Sequence, residues 1–227
     1  MPEHQQEPQE EFSFKSYFVP LTTVKAIHWI IIIGLVVYFN SLFNSFVWDD
    51  FSQLINNSTS HSILNTPQFF IDHSYTYYRP FATVVLAGMY MAFGTTAFWY
   101  HFVQVILHII NTIFIFILFK RFFKSFLSFI LACIFLVHPI NVESVAYISS
   151  IQAVLSLLLG LSALMIVSYK KQQSISLYLL LSLFFLLSML SKETGIIFCI
   201  LTPLLMAFNK RFAMKKENIC LSLSPSY

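Results

Sequence analysis

Two adjacent carboxylates, Asp49 and Asp50, follow the aromatic residue Trp48 and are the strongest candidates for chemistry in this sequence. Adjacent side chains diverge by about 100° on a helix and point to opposite faces of a strand, so the pair cannot act as one clamp. We therefore expect two different roles: one carboxylate as the general base for a substrate hydroxyl, the other as a positioning group. The alternative is an acidic doublet that is merely solvated at the start of a loop.

Two basic residues offer binding groups for an anion. Arg79 precedes a long apolar stretch, and a guanidinium suits phosphate because it is permanently charged and offers several donors. Lys192 is followed directly by Glu193, and the sharper interpretation makes this pair part of a phosphate or substrate site. The alternatives are contacts of Arg79 with lipid headgroups and capping of two helix ends by Lys192 and Glu193.

A fourth motif begins with His138 and Pro139 at the end of an apolar run and continues to Glu143. Proline stops a helix, which places Glu143 close to the membrane surface. A carboxylate at that depth is costly unless it is paired or hydrated, which favours a functional site. The alternative is a structural ion pair between Glu143 and Arg79 or Lys192.

Polar residues also recur inside one apolar run, at His101, Gln104, His108 and Asn111. Spacings of three, four and three place them on one face of a helix. Hydrogen bonding between helices is the favoured interpretation of this stripe. A proton relay or a metal site is the alternative.

Composition sets the environment in which these residues work. The chain has 227 residues, of which 57% are hydrophobic and only 10% are charged, against about 25% charged residues in soluble domains. The sequence therefore predicts an integral membrane protein. A net charge of +3 without a basic patch argues against nucleic acid as a partner.

About 20 helical residues cross the hydrocarbon layer, and six apolar runs approach that length. The sequence thus predicts an all-α polytopic membrane protein with about six transmembrane helices. The runs are 24–39, 101–119, 122–137, 148–168, 175–190 and 195–208.

Basic residues assign the sides of the membrane, because they favour the cytoplasmic loops. If the apolar stretch Pro80–Phe93 lies along the outer surface, 11 of the 13 basic residues fall inside. If that stretch crosses instead, only Lys15 and Lys25 stay inside. The first topology is favoured, and it places Asp49, Asp50, Glu143 and Glu193 together on the non-cytoplasmic side.

This topology divides the chain into three parts. Residues 1–23 are predicted to be a cytoplasmic tail without a cleaved signal peptide, because no basic segment or cleavage site frames the first run. Residues 24–210 form the transmembrane module, with an outer loop at 46–79 and a surface helix at 80–94. Residues 211–227 form a second cytoplasmic tail.

The motifs, taken in order along residues 24–210, resemble a known family. Their order is Phe46-Val47-Trp48-Asp49-Asp50, Tyr78-Arg79-Pro80, Tyr100-His101 with His108, His138-Pro139 with Glu143, and Ser191-Lys192-Glu193. This pattern resembles the N-terminal membrane half of the GT-C glycosyltransferases. It is most similar to the transmembrane and tetratricopeptide-repeat O-mannosyltransferases and their bacterial relatives.

The resemblance implies transfer of a sugar, with mannose as the candidate, from a polyprenyl-phosphate donor to a hydroxyl acceptor with inversion. It makes Asp49 the base, with Asp50 helping to place the acceptor, and directs Arg79 and Lys192 to the lipid phosphate. Glu143 is the third candidate catalytic residue, and His138 and Glu193 are candidate substrate contacts. The membrane would be bacterial cytoplasmic or endoplasmic reticulum. No organic cofactor is expected, and the use of a divalent metal is left open.

Two other functions stay open at this point. Relatives of this kind are longer, so the chain is either the catalytic part of an enzyme or a truncated, non-catalytic membrane subunit. A transporter is the third hypothesis, with the stripe from His101 to Asn111 and Glu143 as its ion path.

Overall fold

The computed structural model describes residues 21–71, 77–169 and 174–207, and this part of the chain is helical without strands. Most of the two predicted tails, and the loop lysines Lys170 and Lys171, lie outside the described residues. The helices are α1 (Thr23–Tyr38), α2 (Thr66–Ile71), α3 (Pro80–Phe93), α4 (Ala97–Phe119), α5 (Ser125–Val137), α6 (Val142–Ala146), α7 (Ile151–Tyr169), α8 (Ile175–Ser191) and α9 (Glu193–Ala207).

Every predicted apolar run forms a helix, but the helices differ in length. Among the described residues, three are long and apolar enough to cross a membrane: Thr23–Phe43, Ala97–Phe119 and Ile148–Tyr169. The structure has a fourth candidate span if α5 and the following helical segment Pro139–Ala146, which is bent relative to α5, are counted together. The structure thus confirms an all-α membrane protein with three or four candidate spans, and α8 and α9 fall short of the length of a crossing.

Helix α3 has 14 residues. At about 1.5 Å per residue it is roughly 21 Å long, shorter than the hydrocarbon layer of about 30 Å. It packs against the outer loop on one side and against α8 on another. Its length agrees with a surface helix, although the orientation of α3 relative to the membrane stays a prediction.

Helix α4 is the centre of the bundle, because α1, α5 and α7 all pack against it. The predicted polar stripe is buried along it, and three of its four members bond to neighbouring backbone. Gln104 Nε2 donates to the carbonyl oxygens of Ser144 and Tyr147 at 2.7 and 2.8 Å. His108 Nε2 lies 3.1 Å from the Leu136 carbonyl oxygen, and Asn111 Nδ2 donates to that of Val154 at 3.0 Å.

These bonds support the interhelical interpretation for three members of the stripe. Interhelical hydrogen bonding predicts side-chain donors directed at the backbone of neighbouring segments, as observed for Gln104, His108 and Asn111. His101 differs, because both of its ring nitrogens are buried without a hydrogen-bond partner among the described residues. Gln104 therefore has a structural role in holding the segment 144–147, and these bonds leave His101 unexplained.

The break between α5 and α6 directs the segment 144–147 toward the outer loop. Pro139 ends α5, and the chain bends by 49°. The ring nitrogen Nδ1 of His138 accepts the backbone N–H of Ile140 at 3.2 Å, and Asn141 Nδ2 donates to the Phe135 carbonyl oxygen at 2.7 Å. Both bonds satisfy backbone groups that the broken helix would leave unpaired.

The outer loop is folded onto the bundle by its own side chains. Leu54 and Phe69 are buried at 1% and 2% exposure. The His61 ring stacks on Tyr90 of α3 with 3.8 Å between ring centroids, while its Nε2 lies 2.8 Å from the Leu54 carbonyl oxygen. The loop can therefore hold side chains at its start in fixed positions.

Candidate active site

Asp50 is the anchor of the acidic doublet, because its side chain is completely buried. Its Oδ2 accepts the backbone N–H of Val47 at 2.9 Å. Its Oδ1 accepts the backbone N–H and the hydroxyl of Ser149, at 2.8 and 2.6 Å. Three donors satisfy the buried carboxylate and tie the start of the outer loop to the segment that begins α7.

The turn that Asp50 holds presents Asp49 outward. Trp48 has a φ of +47°, a backbone conformation that a bulky residue adopts only when its surroundings enforce it. The backbone N–H of Asp49 donates to the Tyr147 hydroxyl at 3.1 Å. The two carboxylates of the doublet therefore point in opposite senses, one into the fold and one to the surface.

A cavity of about 550 Å³ opens beside Asp49. This volume is in the range of small-molecule sites. The lining combines two carboxylates, two aromatic rings and small apolar groups: Val47, Trp48, Asp49, Val142, Glu143, Ala146 and Tyr147. The structure therefore brings together Asp49 and Glu143, two of the three predicted catalytic residues, although they are 94 positions apart in the chain.

Tyr147 is a residue of this site that the sequence interpretation missed. Its hydroxyl contacts Asp49, and its ring meets the Trp48 ring edge-on at 6.2 Å. Burial raises the pKa of the Tyr147 hydroxyl, and the negative charges of Asp49 and Asp50 add to this effect. The hydroxyl therefore stays protonated at neutral pH and can serve as a hydrogen-bond donor in the cavity. Its position four residues after Glu143, on the same helical face, was the available signal.

Tyr147→Phe is expected to loosen the Asp49 turn while leaving the fold intact. Losing one net hydrogen bond costs about 1 kcal/mol, so we expect the Asp49 amide to exchange with solvent deuterium roughly fivefold faster. Tyr169→Phe, at the far end of α7, is the matched control and should leave that amide unchanged. An unchanged rate in Tyr147→Phe would show that the hydroxyl does not hold the turn.

Arg79 lies in a second polar cluster. Its Nε and Nη2 donate to the two carboxylate oxygens of Glu193 at 3.1 and 2.7 Å. The guanidinium also lies 4.5 Å from the centre of the Tyr77 ring. The Arg79 side chain is only 12% exposed, whereas that of Glu193 is 66% exposed. The cation is thus held by the fold, and its carboxylate partner reaches it from the surface.

The remaining predicted site residues take the following positions. Lys192 directly precedes Glu193, and the pKa of the Glu193 carboxyl is lowered mainly by the hydrogen bond from Arg79, with the Lys192 charge contributing. The pair with Arg79 therefore persists at neutral pH. His138 is exposed and caps the turn after α5. Arg79, Lys192 and His138 do not line the cavity beside Asp49.

Metal ligands are the last element of the site to place. In the part of the chain that the structure describes, no three His, Cys, Asp or Glu side chains are grouped to hold a metal ion. The cavity itself contributes two carboxylates, those of Asp49 and Glu143. A bound divalent cation would need further ligands, such as substrate phosphate or water.

Comparison with known proteins identifies the family. The protein-family model described as dolichyl-phosphate-mannose-protein mannosyltransferase matches residues 72–224, which is 153 of 227 residues. The chain belongs to this family. The resemblance to the GT-C superfamily is thereby confirmed. The match includes Arg79, Glu143 and Lys192 and begins after Asp49 and Asp50.

Individual members of the family align over much of the chain. Protein O-mannosyl-transferase F38B6.6 of Caenorhabditis elegans is 27% identical over 181 residues, covering 74% of this chain and 26% of the relative. Human TMTC1 is 33% identical over 165 residues, covering 65% and 18%. Human TMTC3 is 28% identical over 145 residues, covering 59% and 16%. The chain thus spans about a quarter of these relatives or less, and no solved structure matches it.

Proposed function

We propose that this chain carries the catalytic membrane part of an inverting glycosyltransferase that moves mannose from a polyprenyl phosphate to a protein hydroxyl. The observation that supports this most directly is the shared cavity of Asp49 and Glu143 at the mouth of the first candidate span. The family match and the O-mannosyltransferase names of the relatives support the sugar and the acceptor. The topology of this proposal keeps six crossings, with α3 on the outer surface.

The chemistry follows from the charges that change during transfer. The acceptor oxygen attacks C1 of the sugar from the face opposite the phosphate, and its proton passes to Asp49. The bond between C1 and the phosphate oxygen breaks, and the electron pair leaves with the polyprenyl phosphate. That leaving group has a low proton affinity, so it needs cations and no general acid.

The other polar residues take supporting roles in this proposal. Glu143, across the cavity from Asp49, positions the acceptor, and Asp50 fixes the turn from inside the fold. Arg79 and Lys192 stabilise the leaving phosphate. His138 holds the turn after α5 through its bond to the Ile140 N–H. In this arrangement the acceptor enters the cavity from its open side, and the donor lipid lies at the surface of the bundle with its sugar directed to the acceptor.

Glu193 has a defined place in this scheme. Its carboxylate occupies the Nε and Nη2 edge of the Arg79 guanidinium, a bidentate geometry in which a guanidinium also binds phosphate. In this scheme the donor phosphate binds that edge and displaces Glu193, whose exposed side chain can swing away while the Tyr77 ring keeps Arg79 in place. Resident carboxylate and incoming phosphate compete for one cation.

Opposite changes in donor affinity are expected for Arg79→Ala and Glu193→Gln. Charge-assisted hydrogen bonds contribute about 1.5–3 kcal/mol, so Arg79→Ala should raise the KM for the donor roughly 10- to 100-fold. Glu193→Gln removes the competing charge and should lower that KM. The assay is transfer of labelled sugar in proteoliposomes, with Thr194→Ala as the neighbouring control. A donor KM that rises equally in both variants would show that Glu193 serves the site as a structural partner.

The experiment that tests the proposed function is the same transfer assay with unaltered protein. Purified chain in proteoliposomes should move labelled mannose from polyprenyl phosphate to an acceptor peptide rich in serine and threonine. Because the chain is shorter than its relatives, the assay is run alone and after co-expression with a membrane fragment that supplies the remaining helices of a relative. No transfer under either condition would favour the non-catalytic subunit.

A further inference from the structure

The outer loop carries a feature that the transfer reaction does not use. Asn56-Asn57-Ser58-Thr59 contains two overlapping acceptor motifs for N-linked glycan, one starting at Asn56 with Ser58 and one starting at Asn57 with Thr59. Glycan is added to exposed loops on the non-cytoplasmic side. The sequence alone makes both asparagines equally good candidates for glycan attachment, whereas the structure distinguishes their environments.

Asn57 is engaged in the local fold. Its Oδ1 accepts the backbone N–H of Thr59 at 3.2 Å and caps the turn Ser58–His61. That turn packs against α3, which ties the Asn57 side chain to the body of the protein. The Asn57 side chain is also only partly exposed, so a transferring enzyme reaches its amide nitrogen less readily than that of an exposed asparagine.

Asn56 is free to react. Its side chain is exposed and makes no hydrogen bond to the described part of the chain, and Ser58 of its motif is exposed as well. Its backbone is fixed, because its N–H donates to the Phe51 carbonyl oxygen at 2.7 Å. It follows the end of the first candidate span at Phe43 by 13 residues, which places it clear of the lipid boundary.

We propose that Asn56 is an N-glycosylation site and that Asn57 is not. The Asn56 amide nitrogen forms a bond to C1 of an oligosaccharide donated by a lipid pyrophosphate of the host membrane. The bond from C1 to the pyrophosphate breaks, the pyrophosphate leaves with the electron pair, and the host enzyme takes one amide proton. The inference rests on the outward orientation that the proposed function gives to this loop.

Two serine and threonine variants separate the motifs without touching either asparagine. The chain is expressed in cultured mammalian cells and its mobility is compared with and without a glycan-removing endoglycosidase. We expect one glycan on the unaltered chain, none on Ser58→Ala and one on Thr59→Ala. Asn56→Gln should lose the glycan and Asn57→Gln should keep it, because the Ser58 motif survives in the latter.

A variant in the predicted cytoplasmic tail separates failure of this inference from failure of the topology. Cys220→Asn creates an acceptor motif with Ser222, 13 residues after the end of α9 at Ala207, and should add no glycan. Loss of the glycan in Thr59→Ala alone would overturn the choice of Asn56 while keeping the loop outside. A glycan gained only in Cys220→Asn would overturn both the inference and the orientation. A chain without glycan in every variant would refute the inference, and the transfer assay would then test the proposed function separately.

Discussion

Asp49→Asn is expected to reduce the rate of sugar transfer by about 10²- to 10⁴-fold, the usual contribution of a general base. The amide is nearly the same size as the carboxylate but cannot take the acceptor proton. The fold should be unaffected, since the Asp49 side chain is exposed and its backbone bond to Tyr147 survives the change. The measurement is kcat and KM for labelled transfer in proteoliposomes, and the loss should appear in kcat.

Glu143→Gln is the matched control for Asp49→Asn, because it neutralises the other carboxylate of the same cavity. As a positioning residue, Glu143 should affect mainly the KM for the acceptor. The reverse pattern, a large loss of kcat in Glu143→Gln and a small one in Asp49→Asn, would assign the base to Glu143. Full activity in both variants would remove the cavity from the mechanism.

Asp50→Ala is expected to destabilise the protein by about 3 kcal/mol or more. The change leaves the N–H groups of Val47 and Ser149 and the Ser149 hydroxyl without their acceptor inside the fold. Each buried unsatisfied donor costs about 1–3 kcal/mol, and relaxation or water entry recovers part of the sum. Reversible unfolding in mixed detergent micelles measures this difference, and loss of activity should follow the loss of the fold.

Asp49→Ala is the control for Asp50→Ala, since the neighbouring residue is the same acid in an exposed position. Its free energy of unfolding should stay within about 0.5 kcal/mol of the unaltered chain. Ser149→Ala should show part of the Asp50 effect, because it removes one of the three bonds. Equal stability of the Asp49 and Asp50 variants would contradict the division of roles within the doublet.

The division of roles explains how a surface carboxylate can be positioned on a loop. Asp50 supplies the buried anchor, the enforced backbone at Trp48 turns the chain, and Tyr147 holds the next amide. Gln104 holds the segment of Tyr147 from the central helix. The candidate base is therefore linked to the central helix of the bundle through two contacts.

The positions of the helices could be predicted from the sequence, and their function as spans only partly. Apolar runs mark the longer helices because the bundle and the lipid both exclude polar side chains, whereas the short helices α2 and α6 were not predicted. The same signal cannot separate a full crossing from a shorter helix, because α8 and α9 are apolar and yet fall short of the length of a crossing. The break at Pro139 was predictable, since proline leaves a helix no alternative.

The sequence indicated candidate site residues more readily than the contacts between them. The geometry of adjacent side chains gave Asp49 and Asp50 separate roles, and the structure places them in opposite environments. The partner of Arg79 was missed, because an ion pair with Glu143 was considered and the observed partner is Glu193, 114 positions away. Charges alone do not specify long-range pairs, since several carboxylates on one face satisfy the same rule. The contact of Tyr147 with Asp49 depends on the bend after α5, so the spacing could mark Tyr147 as a neighbour of Glu143 but could not identify Asp49 as its partner.

Photo-crosslinking with a polyprenyl-phosphate sugar that carries a photoreactive group on the sugar ring tests the central claim most directly. It reports occupancy of the cavity without requiring turnover. We expect labelled peptides that contain residues 47–49 and 142–147, with labelling reduced by an excess of unmodified donor. Labelling confined to other helices, or labelling of these peptides that excess donor does not reduce, would contradict a sugar site between Asp49 and Glu143.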